Sequence, residues 1–252
     1  MNQIINGDSL ELMKDIDNGS IDLIITSPPY NIGKEYEKVM DIQDYKAWIK
    51  QYVKEFYRLI KDTGSVVFQI GNYVEKGKVY PLDCLLFDLF LDEGFIPRNR
   101  IIWHFGHGLH AKKRFSGRHE TLLWFTKTDE YKFNLDPVRV PQKYPNKKAY
   151  KGDKKGQLSG NPLGKNPSDV WEISNVKSNH PEKTDHPCQF PIELVSRCIK
   201  SMTDVGDLVM DPFLGSGTTI VSAIQENRNS IGIEKDAHYC QIAEERVLSV
   251  TA

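Results

Sequence analysis

The sequence predicts an α/β fold, an open and mostly parallel β-sheet with helices on both faces. Short apolar runs alternate with segments of helical periodicity along most of the 252 residues, which indicates repeated strand–helix units. Two of the apolar runs, IDLIIT (21–26) and SVVFQI (65–70), are continuous, as expected for strands that are covered on both faces. The length suits one large domain with a substantial core.

The first half of the chain contains six predicted elements. Ile21–Thr26 is a strand that ends at a Pro-Pro pair, and residues 45–60 form a helix with an apolar face. Gly64 ends this unit. The remaining elements are a strand at 65–70, a helix at 82–91, and strands at 95–105 and 119–126 that pair as an antiparallel hairpin across the loop 106–118.

The rhythm is interrupted between Asp136 and Asp185. This segment is rich in Pro and Gly and poor in aliphatic residues, which indicates an insertion with little regular structure. The strand–helix pattern then resumes with a helix at 191–202, a strand at 207–210, a helix at 218–227, a strand at 230–234 and a helix at 237–248. We therefore expect residues 1–135 and 186–252 to form one domain, and residues 136–185 a separate segment.

Composition excludes several classes of protein. The content of 39% hydrophobic and 27% charged residues is typical of a globular chain and argues against disorder. No run approaches the 18 apolar residues of a membrane span. The four cysteines form no CxxC pair, so we expect no metal site and no disulfide framework, and a reducing cytoplasm as the location.

The net charge of −1 hides a strong segregation of charge. Residues 98–118 contain six Lys or Arg and no acidic residue, while residues 139–185 contain ten Lys or Arg against five acidic residues. Either stretch alone is compatible with an ordinary solvated face. Two such stretches, one of them interleaved with histidines, favour contact with phosphates.

A glycine-rich turn follows the strand near residue 210. The sequence VMDPFLGSGTTIVSA (209–223) reads as a strand, a tight turn and a helix. A phosphate-binding Walker loop needs a lysine after its last glycine, where this chain has Thr218, and the spacing does not match GxGxxG either. Glu234, at the end of the next strand, lies where ribose hydroxyls bind in such sheets. The pattern predicts a nucleoside-like ligand, with a structural turn as the alternative.

The turn after the first strand forms a second motif, IITSPPYNIG (24–33). Prolines donate no backbone N–H, so this turn is rich in hydrogen-bond acceptors. The hydroxyl of Ser27, the carbonyl of Pro28 and the ring of Tyr30 suit a planar base that carries an exocyclic amino group. A rigid turn without a ligand is the alternative.

Together, TSPPY (26–30) and DPFLGSGTT (211–219) resemble the S-adenosylmethionine-dependent DNA amino-methyltransferases, which methylate N4 of cytosine or N6 of adenine. The order of the two motifs is similar to that of the circularly permuted β-group. GDSL (7–10), GSVVFQIG (64–71) and RFSGRHETLLWFTK (114–127) resemble other motifs of the family. The resemblance covers nearly the whole chain.

This resemblance implies a Rossmann-like methyltransferase fold, with a mostly parallel seven-stranded sheet that includes an antiparallel hairpin strand. It implies S-adenosyl-L-methionine as cofactor and a target base flipped out of duplex DNA. The catalytic residues implied are Ser27, Pro28, Pro29 and Tyr30. The cofactor-binding residues implied are Asp8, near the adenine, Glu234, near the ribose, and Asp211, Phe213, Gly215, Ser216, Gly217 and Thr218.

The resemblance also suggests the partners and the target base. Residues 136–185 are expected to be the target-recognition segment, and Lys112, Lys113, Arg114 and Arg118 of the basic loop are expected to bind DNA. Serine at position 27, with its flanking sequence TSPPYNIGKEYE, resembles the N4-cytosine members, and N6-adenine is the alternative. A homodimer and a cognate restriction endonuclease are left open.

Two further readings compete with this one. Methyltransferases acting on RNA or on a glutamine amide usually carry Asn at the Ser27 position and have the opposite motif order. A catalytically idle DNA-binding protein is disfavoured because both motifs are intact.

Overall fold

A computed structural model describes residues 1–33 and 39–251. Residues 34–38, which belong to the sequence flanking the Ser-Pro-Pro-Tyr motif, lie outside the described residues. The strands are β1 (Asn2–Asn6), β2 (Ile21–Thr26), β3 (Ile60–Ile70), β4 (Asn72–Glu75), β5 (Lys78–Pro81), β6 (Ile96–His104), β7 (His119–Thr126), β8 (Val170–Glu172), β9 (Leu208–Asp211) and β10 (Asn229–Glu234). The helices are α1 (Ser9–Leu12), α2 (Ile42–Leu59), α3 (Leu82–Glu93), α4 (Ile192–Met202), α5 (Thr218–Gln225) and α6 (Ala237–Thr251).

The predicted α/β class is confirmed. The main sheet has the order β1-β10-β9-β2-β3-β7-β6-β8, and β4 and β5 form a separate hairpin. The first five strands of this order are parallel to one another, whereas β7 is antiparallel to both β3 and β6. The sheet has eight strands in the described part of the chain rather than the expected seven, because β8 pairs in parallel with β6.

Strand β8 comes from residues 136–185, the segment in which little regular structure was expected. The rest of the segment contains one short 3₁₀ turn, Asp136–Val138, and two isolated bridges, Val140 to Lys165 and Lys148 to Leu158. Its carboxyl-terminal part joins the core, because Trp171 is buried and the indole N–H of Trp103 on β6 donates to the carbonyl of Ile173 at 2.8 Å. The segment is therefore anchored to the main sheet at one end.

Helices cover both faces of the sheet. On one face, α2 and α3 enclose a large aromatic core in which Phe90 stacks on Phe125 of β7, with ring centroids 4.4 Å apart and an interplanar angle of 3°. On the other face, α4 packs through residues such as Leu194 and Ile199 against the strands. Within the described residues, no helix is long and apolar enough to cross a membrane.

Most predicted elements agree with the structure to within a few residues. Helix α2 begins at Ile42, three residues before the predicted start, because the Asp41 carboxylate caps it by accepting the N–H of Gln43 at 2.8 Å. The main difference lies at the next strand: α2 ends at Leu59 and β3 starts at once, at Ile60 rather than at residue 65. The prediction that Gly64 ends this unit is wrong, because Gly64 lies inside β3. Strand β1, the β4–β5 hairpin and the four-residue helix α1 were not predicted, because short or mixed-polarity segments carry little periodicity.

This topology brings several chain segments to one edge of the sheet. The carboxyl ends of parallel strands lie at the same edge, so the loops after β1, β10, β9, β2 and β3 meet there. Because β7 is antiparallel, it begins at this edge, and β6 ends there, as the pairing of His104 with His119 shows. Both sequence motifs and the basic loop 106–118 are therefore brought to the same edge.

We predict that Phe90→Ala lowers the free energy of unfolding by about 3–5 kcal/mol, because it removes a fully buried ring and leaves a cavity. Leu91→Ala is the matched control, since Leu91 is the next residue on α3 and is 42% exposed. Urea unfolding of both variants measures the difference. Equal losses of stability would contradict the packing described here.

Candidate active site

A cavity of about 690 Å³ opens at this edge of the sheet. Both sequence motifs line it. The predicted site residues in its wall are Asp8, Ser27, Pro28, Pro29, Tyr30, Phe213, Gly215, Ser216, Thr218 and Glu234. Two other predicted residues, Asp211 and Gly217, are buried behind the wall. The volume lies within the range of small-molecule sites.

Asp211 joins the two motifs. One carboxylate oxygen accepts the hydroxyl of Thr26, at the end of β2, at 2.6 Å and the N–H of Phe213 at 3.0 Å. The other accepts the hydroxyl of Thr219, at the start of α5, at 2.6 Å. Asp211 has no exposed surface, and its burial raises the pKa of the carboxyl to about 6 despite these hydrogen bonds. The hydrogen bonds of Asp211 therefore connect the end of β2 to the turn between β9 and α5.

The glycine-rich loop is held from behind by Glu234. The Glu234 carboxylate accepts the N–H of Gly215 at 2.7 Å and the N–H of Asp236 at 2.8 Å. Gly217 has a positive φ of 82°, and a Cβ built there would lie 2.8 Å from the Cβ of Ala243 on α6. This glycine is therefore required by close helix packing as well as by backbone conformation.

His186 lines the cavity beside the glycine-rich loop, and Arg246 holds that loop from α6. Arg246 on α6 donates to the Ser216 carbonyl at 2.7 Å and to the Thr218 hydroxyl at 3.0 Å, and so clamps the loop. His186 lies against Tyr239 with ring centroids 4.5 Å apart, and burial lowers the pKa of its imidazole to about 4. His186 is consequently neutral at neutral pH.

Asp8 lies at the same end of the cavity as Glu234. It caps α1 by accepting the N–H of Leu10 at 3.1 Å, and its other oxygen forms an ion pair with Lys235 at 3.1 Å. An aromatic wall stands beside it, formed by Trp48 and Tyr52 of α2 together with Phe213, whose ring centroid is 4.6 Å from that of Tyr52. The helical periodicity of α2 indicated these two aromatics only as core residues.

The Ser-Pro-Pro-Tyr loop is fixed on both sides. The phenol of Tyr45 donates to the carbonyl of Pro29 at 2.7 Å. Asn31 has a positive φ of 60°, and its side-chain amide bonds both the N–H and the carbonyl of Met40, at 2.7 and 2.8 Å. Bonds of this kind hold the acceptor groups of the loop in place before any ligand enters.

A hydrogen-bonded cluster lies directly behind Ser27. The Ser27 hydroxyl donates to the Tyr30 phenol at 3.3 Å, and that phenol donates to the Glu120 carboxylate at 3.0 Å. Gln69 of β3 donates to the same carboxylate oxygen. Burial raises the pKa of the Glu120 carboxyl, and burial together with the nearby Glu120 raises the pKa of the Tyr30 phenol well above its ordinary value. Glu120 was missed by the sequence analysis, although it is the only acidic residue between Arg98 and Thr126.

The basic loop lies next to the cavity. Lys112, Lys113 and Arg114 are exposed. Arg118 is half-buried and donates to the carbonyls of Leu109 and Gly117 at 3.1 and 2.7 Å, so its guanidinium also braces the loop. The loop therefore presents a cluster of three exposed cations.

Comparison with known proteins identifies the family. A family model described as DNA methylase matches residues 21–245, which is most of the chain. The chain belongs to this family. The methylase is 51% identical to the type II methyltransferase M.BglII of Bacillus subtilis over 244 residues, a match that covers 96% of this chain and 68% of M.BglII. It is 32% identical to the DNA adenine methyltransferase YhdJ of Escherichia coli K12, over 97% of this chain and 82% of YhdJ.

Solved structures agree with this identification. The cytosine-N4-specific PvuII DNA methyltransferase matches with a TM-score of 0.79 and 26% identity, over 97% of this chain and 86% of the PvuII chain. A DNA modification methylase from Thermus thermophilus, solved with S-adenosyl-L-methionine, matches with a TM-score of 0.69 and 26% identity, over 99% of this chain and 96% of that one. The expected cofactor and the expected enzyme class, an S-adenosylmethionine-dependent DNA amino-methyltransferase, are confirmed.

The residues of the cavity fit this cofactor. An aromatic wall, two acidic residues and a glycine-rich loop without a lysine suit a nucleoside that carries no phosphate better than a polyphosphate. The charged side chains in the wall are mostly acidic, namely Asp8, Glu120, Glu234 and Asp236 against Lys235, and this balance suits a ligand that carries a sulfonium cation.

We predict that Asp211→Asn removes a component of the pH dependence of stability. Since the folded-state pKa of Asp211 lies near 6 and its ordinary value near 3.8, ionisation between these pH values destabilises the folded state by about 3 kcal/mol. The wild type should therefore lose stability relative to the variant as the pH rises from 4 to 7. Urea unfolding at both pH values measures this, and parallel curves would contradict it.

Asp204 provides the control of opposite sign. The amide of Asn134 leads the interactions that lower the pKa of this exposed carboxyl. Asp204→Asn should therefore cost stability at neutral pH, and the cost should shrink as the pH falls through the range in which Asp204 becomes protonated.

Proposed function

We propose that this methylase transfers a methyl group to N4 of a cytosine that is flipped out of duplex DNA. One observation carries the proposal. The acceptor-rich Ser27–Tyr30 loop and the glycine-rich loop line one cavity, and the buried carboxylate of Asp211 forms hydrogen bonds at the start of each loop. The likeness to the cytosine-N4-specific PvuII enzyme supports cytosine as the target. Serine at position 27 supports it too, through the resemblance of its motif to N4-cytosine enzymes.

The reaction needs a more nucleophilic amino group. The lone pair of an exocyclic amino nitrogen is delocalised into the ring, which makes this nitrogen a poor nucleophile. Hydrogen bonds from the amino group to the Ser27 hydroxyl and the Pro28 carbonyl favour a pyramidal nitrogen with its lone pair directed at the methyl group. The fixed loop therefore contributes through positioning and preorganised acceptors.

When bound, S-adenosylmethionine supplies the electrophilic methyl group. We propose that Glu234 accepts ribose hydroxyls, since a carboxylate that already holds two N–H groups retains lone pairs for further donors. Asp8 is proposed at the adenine amino group, and Phe213 with the loop residues Gly215, Ser216 and Thr218 at the methionine end. Asp211 and Gly217 are proposed to act by holding this loop in shape.

Residues 136–185 are proposed as the target-recognition segment, and the loop 106–118 as a contact to DNA phosphates. The proposed setting is the nucleoid of a bacterial or archaeal cytoplasm, with a cognate restriction endonuclease as the biological partner. The type II names of the relatives support this setting. A homodimer is the proposed assembly, carried by the resemblance to the permuted group alone.

N6 of adenine is the second candidate. The identity of 32% to an adenine methyltransferase supports it. Both bases also offer the same two amino hydrogens to the Ser27 hydroxyl and the Pro28 carbonyl. The two bases differ in the ring that carries the amino group. The hydrogen-bond acceptors of this loop bind only the amino group and therefore do not distinguish the two rings.

A nucleoside analysis distinguishes the two. The purified protein is incubated with methyl-labelled cofactor and unmethylated duplex DNA, and the DNA is digested to nucleosides. We expect label in N4-methylcytosine, and label in N6-methyladenine would overturn the choice of base. Sequencing that detects modified bases, on DNA from cells expressing the protein, identifies the recognition site.

We predict that charge reversal of Lys112, Lys113 and Arg114 to Glu weakens DNA binding regardless of sequence, because phosphate contacts carry no sequence information. The slope of log affinity against log salt should fall by about 0.9 for each phosphate that the variant no longer neutralises. A triple reversal of the exposed Lys14, Lys50 and Lys54 changes the net charge equally and serves as control. Equal weakening by both triples would contradict the placement of DNA at the loop.

A further inference from the structure

We propose that Ser27, Tyr30 and Glu120 form a proton relay that removes the proton released when the amino group of the base is methylated. This inference rests on the proposed function and names residues that serve the same site. Glu120 would be the final proton acceptor, acting through Tyr30. Gln69 would hold its carboxylate in place.

The direction of the hydrogen bonds supports the relay. Ser27 donates to Tyr30 at 3.3 Å, and Tyr30 donates to Glu120 at 3.0 Å, so every hydroxyl points towards the carboxylate. An amino group of a base that donates to the Ser27 hydroxyl extends this chain by one bond. The chain then runs without interruption from the reacting nitrogen to an acid that lines the same cavity.

The balance of the reaction requires a proton acceptor. The amino nitrogen forms its bond to the methyl carbon as the carbon–sulfur bond breaks, and the electron pair of that bond stays on sulfur. The nitrogen becomes cationic and releases a proton to the Ser27 oxygen. Ser27 passes its own proton to Tyr30, and Tyr30 passes its own to Glu120. The positive charge of the sulfonium and the negative charge of Glu120 are both removed.

The surroundings of Glu120 suit this role. Gln69 from β3 donates to the oxygen that Tyr30 also bonds, and the backbone of Trp103 on β6 pairs with that of Glu120. A Cβ built on Gly71 would lie 3.3 Å from the Glu120 carboxyl carbon, so the backbone approaches this acid closely. Burial raises the pKa of the Glu120 carboxyl above its ordinary value, which makes the carboxylate a stronger base. Cys188 is a further titratable group that faces Tyr30.

A single-turnover assay tests the relay at the chemical step. The substrate is a duplex oligonucleotide that carries the site identified by sequencing. Because only one turnover is followed, product release does not limit the rate. We expect the wild-type rate to rise with pH as Glu120 ionises. Glu120→Gln should lower the rate by about 10²-fold and remove this pH dependence, with the affinities for cofactor and DNA little changed. Tyr30→Phe, which keeps the ring, should lower the rate similarly.

The matched control is Glu130→Gln, the same chemical change at an exposed position in the turn after β7. It should leave the rate and its pH profile unchanged. A purely structural role for Glu120 predicts that Glu120→Gln keeps the wild-type rate and pH profile, because glutamine can still accept the Tyr30 hydroxyl. A wild-type rate and pH profile in Glu120→Gln would therefore overturn the relay while leaving the proposed function intact.

The pKa of Glu120, measured in the protein without ligands, tests the connection between Glu120 and Tyr30. Carbon-13 NMR of carboxyl-labelled glutamates should show a carboxyl that titrates above the ordinary range and is absent in Glu120→Gln. Burial also raises the pKa of Glu234, and the signal of that carboxyl should remain in Glu120→Gln. The Tyr30 hydrogen bond lowers the pKa of Glu120, so Tyr30→Phe should raise it further. An unchanged titration in Tyr30→Phe would overturn the relay. A wild type that transfers no methyl group to DNA would overturn both the relay and the proposed function.

Discussion

The structure of the site depends on one buried carboxylate. Asp211 ends β9, and its three hydrogen bonds reach the end of β2, the turn after β9 and the start of α5. Each partner belongs to a segment that lines the cavity or leads into its wall. The protein buries an acid at a cost in solvation, and in return two loops more than 180 residues apart in sequence keep a fixed spacing.

Charge is divided between the inside and the outside of this methylase. The charged side chains of the cavity wall are mostly acidic, whereas segments 98–118 and 139–185, which carry the excess of lysine and arginine, contribute no charged side chain to that wall. A net charge of −1 therefore says little about the ligands of the protein. A cation and a polyanion can be bound by one small domain when each meets its own electrostatic environment.

The sequence revealed the architecture and the motifs but not the cooperation between distant residues. Continuous apolar strands and glycine turns are local signals, so the order of strands and helices could be predicted. The three-residue strand β8 carries no periodic signal, and its pairing with β6 joins residues that lie 68 positions apart. Trp48 and Tyr52 follow a core pattern, and only the fold brings them to a cavity wall. The role of Glu120 could be recognised only in the structure, because its hydrogen-bond partners, Tyr30 and Gln69, come from two other segments of the chain.

The anchoring of β8 has a consequence for how new specificities arise. If residues 136–185 read the DNA sequence, most of that segment can vary in length and composition without touching the catalytic core. Trp171 and Ile173 cannot, because they belong to the sheet and to the environment of Trp103. An exchange of recognition segments between relatives should therefore keep the residues that follow Asp169 and also Val138, which is buried near the start of the segment, and replace only the residues between them.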